Sequence, residues 1–529
     1  MTARTRHVYW VAFGLLVLLY MALYCPYGIN ESDGGFLTGL AWQWLCGKTL
    51  YGDIVYVRTP LPIWFRAAEL TLLPEEWAIL GERVLFYLKV ATYSALGTLL
   101  LLPKRPHGGG VAMLAFMLSA HNYPPTAMHT IDGLLLGTLG FWVLFRFRSP
   151  LAGVTAGVLF AASMLCKQSF YPLAAVGIGI ALWERSLRWS GWLALGMALG
   201  WGAFSTYLYA QGLWSNFWSM TAGATTWRQA LQHGVFDYFY IRPETAALSA
   251  PLLAIAWWSE RRGADRWALA AWLTWLLLLG AIFIRDTTAR REFMLPFAQI
   301  RLLFWVSNAY ALWQGWRGHW PRPLLVRYSA LAALSWCAAV SWGYHLPILY
   351  SVPWAFAIWD ISRYLQQRAS IHLPASNAVA VVYLFALFYL AHQWVYRDGR
   401  RSDMNAHLGD VFPSLTGIYS TPQKAALYRN LAELAKRYGH NIAVIPTFTQ
   451  ASFLTRTPPP LPLDWIARRE MGRFEAYVEA EAQRLRPVFL LEKTALTHLA
   501  DPELALVRRW YEQGKTLEET PHFYVFRLP

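Results

Sequence analysis

The feature that most limits what this chain can fold into is a recurrence of apolar runs about as long as a bilayer is thick. A helix needs ~20 predominantly apolar residues to cross hydrocarbon, and runs near that length follow one another from residue 8 to residue 395. They lie at 8–25, 78–102, 110–128, 131–145, 150–165, 168–183, 191–212, 244–259, 267–284, 295–315, 326–346, 348–360 and 376–395, about thirteen in all. Composition agrees: 56% of residues are hydrophobic and only 15% charged, against ~25% charged in a soluble domain. Mean hydropathy is +0.28. A soluble globule this apolar could not cover its own surface, so the expected fold class is a polytopic α-helical membrane protein.

Charge placement predicts the orientation. Lys plus Arg number 46 and Asp plus Glu 31, a formal net charge of +15. The chain has no long Lys/Arg tract and no zinc-finger spacing, so no nucleic-acid partner is expected. Arg4 and Arg6 precede the first run, which reads as an uncleaved helix starting in the cytoplasm. Alternate connections should then be basic, and they hold Lys104/Arg105, Arg146/Arg148, Arg185/Arg188, Arg261/Arg262/Arg266, Arg317/Arg322/Arg327 and Arg363/Arg368. An odd number of spans puts everything after about residue 396 outside. Charge density rises there. Apolar segments at 441–446, 487–491 and 522–528 are expected strands, with amphipathic helices at 421–438 and 469–485. The expected organisation is a membrane domain at 1–395, including an outer loop at 26–77, and a small extracytoplasmic α/β domain at 396–529. Cys25, Cys46, Cys166 and Cys337 show neither CxxC nor metal spacing, and a Cys25–Cys46 disulfide is the less favoured reading.

The loop after the first run holds the main chemical candidates. It opens Asn30-Glu31-Ser32-Asp33-Gly34-Gly35. Two carboxylates at this spacing can supply a general base, a metal ligand or both; they can equally cap the helix expected at 35–45. The two glycines would let the chain bend these side chains towards a cavity. Further on come Gly47-Lys48-Thr49-Leu50-Tyr51-Gly52-Asp53 and Tyr56-Val57-Arg58-Thr59-Pro60. Asp132, close to His129, begins the fourth run, either as a second cavity acid or as a helix N-terminal residue stabilised by the dipole. Lys167 interrupts an apolar stretch, where an unpaired lysine costs ~2.5–3.5 kcal/mol; it faces a phosphate or snorkels to the interface. The aromatic stretch between 213 and 243, with His233 and Arg242, reads as an interfacial belt or a sugar- or lipid-contacting surface. Arg285, Arg290 and Arg291 break the charge pattern, which points to an anionic partner on that side.

Together, an acidic motif directly after the first span, a Gly-x-x-x-Tyr-x-Asp segment and a basic residue before proline resemble the first extracytoplasmic loop of GT-C glycosyltransferases. The resemblance is to the protein-mannosyltransferase and aminoarabinose-transferase branch, with Thr59-Pro60 standing where Pro-Pro is common. It implies a GT-C architecture in a bacterial inner membrane, its site facing the periplasm. The implied activity is inverting transfer of a sugar from a polyprenyl-phosphate donor to a hydroxyl on a glycan, lipid or protein. Asp33 would be the base, Glu31 its neighbour and Asp132 a second acid. Arg58 would meet the lipid phosphate, with Lys167, Arg285, Arg290 and Arg291 as further cations, and His129, His233 and Arg242 near substrate. Asp33 and Asp132 are also the candidate ligands for a divalent Mg or Mn ion. A flippase for polyprenyl-linked sugars is the main alternative, although the sequence shows no pair of matched halves. An O-antigen-type ligase or polymerase is another, although such enzymes carry their large outer loop late in the chain.

Overall fold

Proline starts and serine caps mark where many of the helices begin. Pro150, Pro172, Pro243, Pro323 and Pro353 occupy first-turn positions, where the missing N–H has no helical partner to lose. Ser149 and Ser186 accept from the backbone N–H of Ala152 and Trp189. The computed structural model describes residues 3–103, 107–120, 124–126, 128–222, 227–290, 300–340, 349–371 and 376–529. Its first helices are α1 (Ala3–Tyr24), α2 (Phe36–Leu45), α3 (Leu61–Leu72), α4 (Ala78–Leu101), α5 (Gly108–Ser119), α6 (His129–Arg146), α7 (Pro150–Cys166), α8 (Pro172–Glu184) and α9 (Leu187–Ala210). Then follow α10 (Trp214–Thr221), α11 (Trp227–Gly234), α12 (Pro243–Arg261), α13 (Asp265–Arg290), α14 (Ile300–Trp316), α15 (Arg322–Ala339), α16 (Val352–Arg368) and α17 (Ser376–Ala391). Each apolar run read from the sequence overlaps one of these helices.

Among the described residues, three helices are long and apolar enough to cross a bilayer by themselves: His7–Tyr24, Glu75–Leu101 and Asp265–Arg285. Shorter apolar helices include Gly108–Ser119, Pro150–Cys166 and Ala378–Leu390. Packing between helices relies on small residues. A methyl group on Gly157 would sit 2.1 Å from the Leu193 carbonyl oxygen, and one on Gly196 2.1 Å from that of Val154. The backbones of α7 and α9 therefore touch, as small-residue interfaces allow. In the basic connections, guanidinium groups lie over indoles: Arg261 on Trp257 at 4.2 Å, Arg262 on Trp258 at 4.3 Å and Arg322 on Trp183 at 4.6 Å. Such Arg–Trp pairs suit an interface that is apolar on one side and wet on the other.

The C-terminal portion is α/β. A two-residue ribbon, β1 (Ala406–His407) with β2 (Tyr419–Ser420), precedes α18 (Pro422–Tyr438). The main strands are β3 (Ile442–Ile445), β4 (Val488–Glu492), β5 (Lys515–Glu519) and β6 (Phe523–Arg527), in the order β3-β4-β6-β5. The β3–β4 pair is parallel and the others antiparallel. Between β3 and β4 lie α19 (Ala451–Leu454), α20 (Arg468–Met471) and α21 (Glu475–Leu485); α22 (Ala505–Gln513) precedes β5. Three strands fall on the apolar runs expected to form them. The fourth, Lys-Thr-Leu-Glu-Glu, is a mostly exposed edge strand whose charges keep it from pairing further. All four cysteines are free.

Residues 26–77 pack with this C-terminal portion. Leu37, Leu40, Tyr51, Ile54, Val55 and Tyr56 share one core with Ile445, Leu463, Ile466, Phe489, Leu491 and Trp510. Backbone bonds stitch the two together: Gly28 N to the Tyr419 oxygen at 2.8 Å, Thr449 N to Glu31 oxygen at 2.9 Å and Val55 N to Pro462 oxygen at 3.0 Å. The glycines act here through their lack of a side chain. Gly35 has an ordinary φ of −98°, but a methyl group on it would meet Gln450 Cβ at 2.6 Å, and one on Gly39 would meet the Thr449 oxygen at 2.0 Å. Close approach, and not the bend expected from the sequence, is what requires Gly35. Replacing Gly39 by Leu is therefore predicted to disrupt docking of the C-terminal portion, seen as a lower melting temperature and faster proteolysis within 396–529 than in wild type.

Candidate active site

The Gly-x-x-x-Tyr-x-Asp segment is a scaffold that presents Arg58. Gly47 and Tyr51 both take positive φ, +89° and +66°, and the Asp53 carboxylate closes the turn by accepting from Thr49 N at 2.8 Å. This curl buries Tyr51, whose hydroxyl donates to the Arg58 carbonyl at 2.7 Å and whose ring packs on Phe217. The strip that follows lies across α6 and the α7–α8 connection. Tyr56 Oη is 2.5 Å from His129 Nε2, Gln168 Nε2 donates to the Val57 oxygen at 2.8 Å, and Thr59 Oγ1 donates to the Met164 oxygen. Three segments distant in sequence thus converge at one end of the helices.

Cations dominate this convergence. The Arg58 guanidinium lies 5.2 Å from the Phe36 ring centre and makes two hydrogen bonds to Glu470 of α20, Nη1–Oε2 at 2.7 Å and Nη2–Oε1 at 2.9 Å. Burial alone would raise the Glu470 carboxyl; the guanidinium overrides that and holds it below its ordinary value. Lys167, in the connection between α7 and α8, donates to Thr130 Oγ1 at 3.2 Å. Among the described residues no carboxylate lies within ion-pair distance of it. Burial, with the Arg58 charge nearby, pushes its amine down to about 7. Asp33 is half-exposed, its carboxylate 3.8 Å from the Arg397 guanidinium. It is near enough to Arg58 to reinforce that charge. Asp33, Arg58, His129 and Lys167 are therefore brought together in one region. Beside them a small cavity is lined by Phe36, Tyr56, Thr449, Asp464, Trp465 and Glu470, and burial pushes the Asp464 carboxyl up to about 6 against the opposing influence of Gln43 and Lys48.

Two of the sequence-read acids are occupied elsewhere. Glu31 is buried with its Oε1 2.5 Å from Lys424 Nζ of α18; burial raises its carboxyl and Lys424 opposes this. It joins the first loop to the C-terminal portion and is not a free neighbour of Asp33. Asp132, also buried, pairs with Lys89 of α4 at 2.7 Å, and Lys89 continues to Glu69 at 3.1 Å. Glu69 meets Arg66, which reaches Glu82 at 2.7 Å. The result is a chain of alternating charge across α3, α4 and α6, which rigidifies the floor of the site. Lys89, Glu69, Arg66 and Glu82 escape a motif-based reading, although lying inside the apolar run at 78–102 marks Glu82 and Lys89. Arg397, Lys424 and Glu470 carry no such signal.

The paired acids do not suit the divalent cation considered for Asp33 and Asp132. Such an ion needs several free oxygens converging, whereas each of these carboxylates faces a basic side chain. Among the described residues no three His, Cys, Asp or Glu gather as a metal site. His233 pairs with Asp237 at 2.8 Å in its own loop. That loop is pinned to α14 and α15 by Trp305 donating to the Tyr238 oxygen and Trp336 to the Gly234 oxygen. Arg242 is buried at the start of α12. Arg285 is exposed near the end of α13; the Arg290 side chain and Arg291 lie outside the described residues.

No protein-family model matches the chain, and no curated protein matches it significantly. Among solved structures it is similar to ArnT from Cupriavidus metallidurans in the apo state. The alignment covers 99% of this chain and 98% of that one, at 12% identity and a TM-score of 0.44.

The charge chain makes a sharp prediction. Lys89→Met would leave the buried Asp132 carboxylate without its cation, at a cost of ~3–5 kcal/mol for a broken buried pair. Thermal unfolding in detergent should show this loss, and Lys89→Arg should restore most of it.

Proposed function

We propose that the chain is a membrane glycosyltransferase that moves a sugar from a polyprenyl-phosphate donor to an acceptor hydroxyl, on the periplasmic face of a bacterial inner membrane. The observation that carries this is two largely buried cations, Arg58 and Lys167, at the end of a set of apolar helices, Arg58 ion-paired with Glu470 and Lys167 with no carboxylate within ion-pair distance among the described residues. Excess positive charge held away from water calls for an anion, and at this place a lipid-linked phosphate supplies one while its tail stays in hydrocarbon. The planar guanidinium fits two phosphate oxygens at once, and the lysine adds a second positive point.

In the reaction the acceptor oxygen forms its bond to the anomeric carbon as the bond from that carbon to the phosphate oxygen breaks. The electron pair goes to the phosphate, whose growing charge Arg58 and Lys167 stabilise. The acceptor proton goes to Asp33, the half-exposed acid, as general base. A single displacement inverts the anomeric centre.

Turnover of a radiolabelled polyprenyl-phosphate sugar tests the reading. Asp33→Asn should lower the rate by ~10²–10⁴-fold, the usual contribution of a general base, and Arg58→Ala should abolish donor binding. If wild type instead moves the label across the bilayer with no sugar transfer, the chain is a flippase. Acidity supplies a second check. Lys167 is charged below about 7 and loses its proton as pH rises through that value, so donor affinity should fall from pH 6 to pH 8. Lys167→Met should remove that part of the pH dependence.

A further inference from the structure

Arg58, the cation best shaped for a phosphate, already holds an anion. Each of its terminal nitrogens donates one N–H to Glu470 in a fork-on-fork contact at 2.7 and 2.9 Å, the end-on pair of donors a guanidinium also offers to two phosphate oxygens. Glu470 stands 412 positions away in sequence, in the C-terminal portion. A carboxylate and a phosphate cannot use the same two donors at once.

We infer that Glu470 holds the place of the donor phosphate on Arg58, and that it must leave for the donor to bind and return as the product departs. This rests on the reading of Arg58 as a phosphate-binding residue. The local structure suits such an exchange. Glu470 sits on α20, only four residues long, and the next residue after that helix, Gly472, has a φ of +56° that favours glycine. Arg469, adjacent in the chain, is exposed and bears on the Glu470 carboxylate, so a displaced carboxylate meets a second cation. Charge explains why an exchange is useful. The donor phosphodiester carries one negative charge, as Glu470 does, whereas the product monoester carries ~1.5–2 at neutral pH. Transfer therefore tightens the hold of Arg58 and Lys167 on the product, and a returning carboxylate supplies Arg58 with a partner as that product leaves.

The experiment is direct binding of labelled polyprenyl phosphate to the full-length protein in nanodiscs, with wild type compared to Glu470→Gln, Arg58→Ala and Lys424→Met. Glu470→Gln removes the competing charge and should bind about ten-fold tighter, or ~1.4 kcal/mol, with a larger ligand-induced rise in melting temperature. Lys424→Met breaks another ion pair between the first loop and the C-terminal portion, and should not tighten binding. Unchanged or weaker binding by Glu470→Gln, with binding lost in Arg58→Ala, would overturn the exchange and make Glu470 a residue that merely orients Arg58. Equal tightening by Lys424→Met would also overturn it, since general loosening would then be the cause. Unchanged binding by Arg58→Ala would instead overturn the phosphate reading itself. Should Glu470→Gln fail to fold, Glu470→Asp keeps the charge but shortens the reach, and tighter binding is expected there too.

Discussion

A charge taken out of water must bring its counter-charge with it, and that constraint binds residues 26–77 to residues 396–529. Lys424 neutralises the buried Glu31 carboxylate, and Glu470 the largely buried Arg58 guanidinium. Each loop residue finds its partner on the C-terminal portion. The glycines at 35 and 39 let the backbones approach closely enough for those pairs to form. Docking and electrostatics are thus one problem: the loop can expose its acidic and basic residues to the membrane end of the helices only while the C-terminal portion neutralises part of their charge.

The same rule organises the helices below. Glu82, Arg66, Glu69, Lys89 and Asp132 alternate in sign from one contact to the next. Three carboxylates face two cations, so the chain is slightly acidic where the neighbouring cluster of Arg58 and Lys167 is basic. A buried ion network is weak evidence for stability, because desolvation offsets much of its attraction. Its clearer consequence is rigidity: α3, α4 and α6 cannot shift independently without unpairing one of these groups. For the proposed transfer, in which a phosphate and a sugar are held in line, such a rigid set of helices is an advantage.

How much of this was legible in the sequence follows from what kind of signal each feature leaves. Helices announce themselves by apolar runs, and the strands at 442–445, 488–492 and 523–527 by short β-branched and aromatic segments. The strand at 515–519 left no mark, because an edge strand is stabilised by backbone pairing with β6 and carries polar side chains. Lys167 stood out because a charge between two apolar runs is unusual by itself, and Asp33 and Arg58 because of the short motifs they stand in, the acids followed by Gly34-Gly35 and the basic residue before Thr59-Pro60. Their partners did not. Lys424 and Glu470 lie 393 and 412 positions from the residues they meet, inside a stretch where charged residues are ordinary. The role of Glu31 was misread for the same reason: two acids two residues apart look equivalent until the fold sends one inward to a lysine and leaves the other at the surface.

That division of Glu31 from Asp33 has a chemical logic. A phosphate-binding cation works best where water is excluded, since the attraction between opposite charges grows as the dielectric falls. A general base must instead be reachable by an acceptor arriving from solution and must be able to pass its proton on. Arg58 and Lys167 sit in the protected part of the convergence, whereas Asp33 is half-exposed and contacts Arg397 at 3.8 Å, a looser hold than the two short bonds between Arg58 and Glu470. The deep cations suit a donor that enters from the bilayer, and the shallow acid suits an acceptor that does not. In the proposed transfer, an anion that must be displaced from Arg58 would then separate the two arrivals in time: only a phosphate able to compete with Glu470 would open the site to an acceptor.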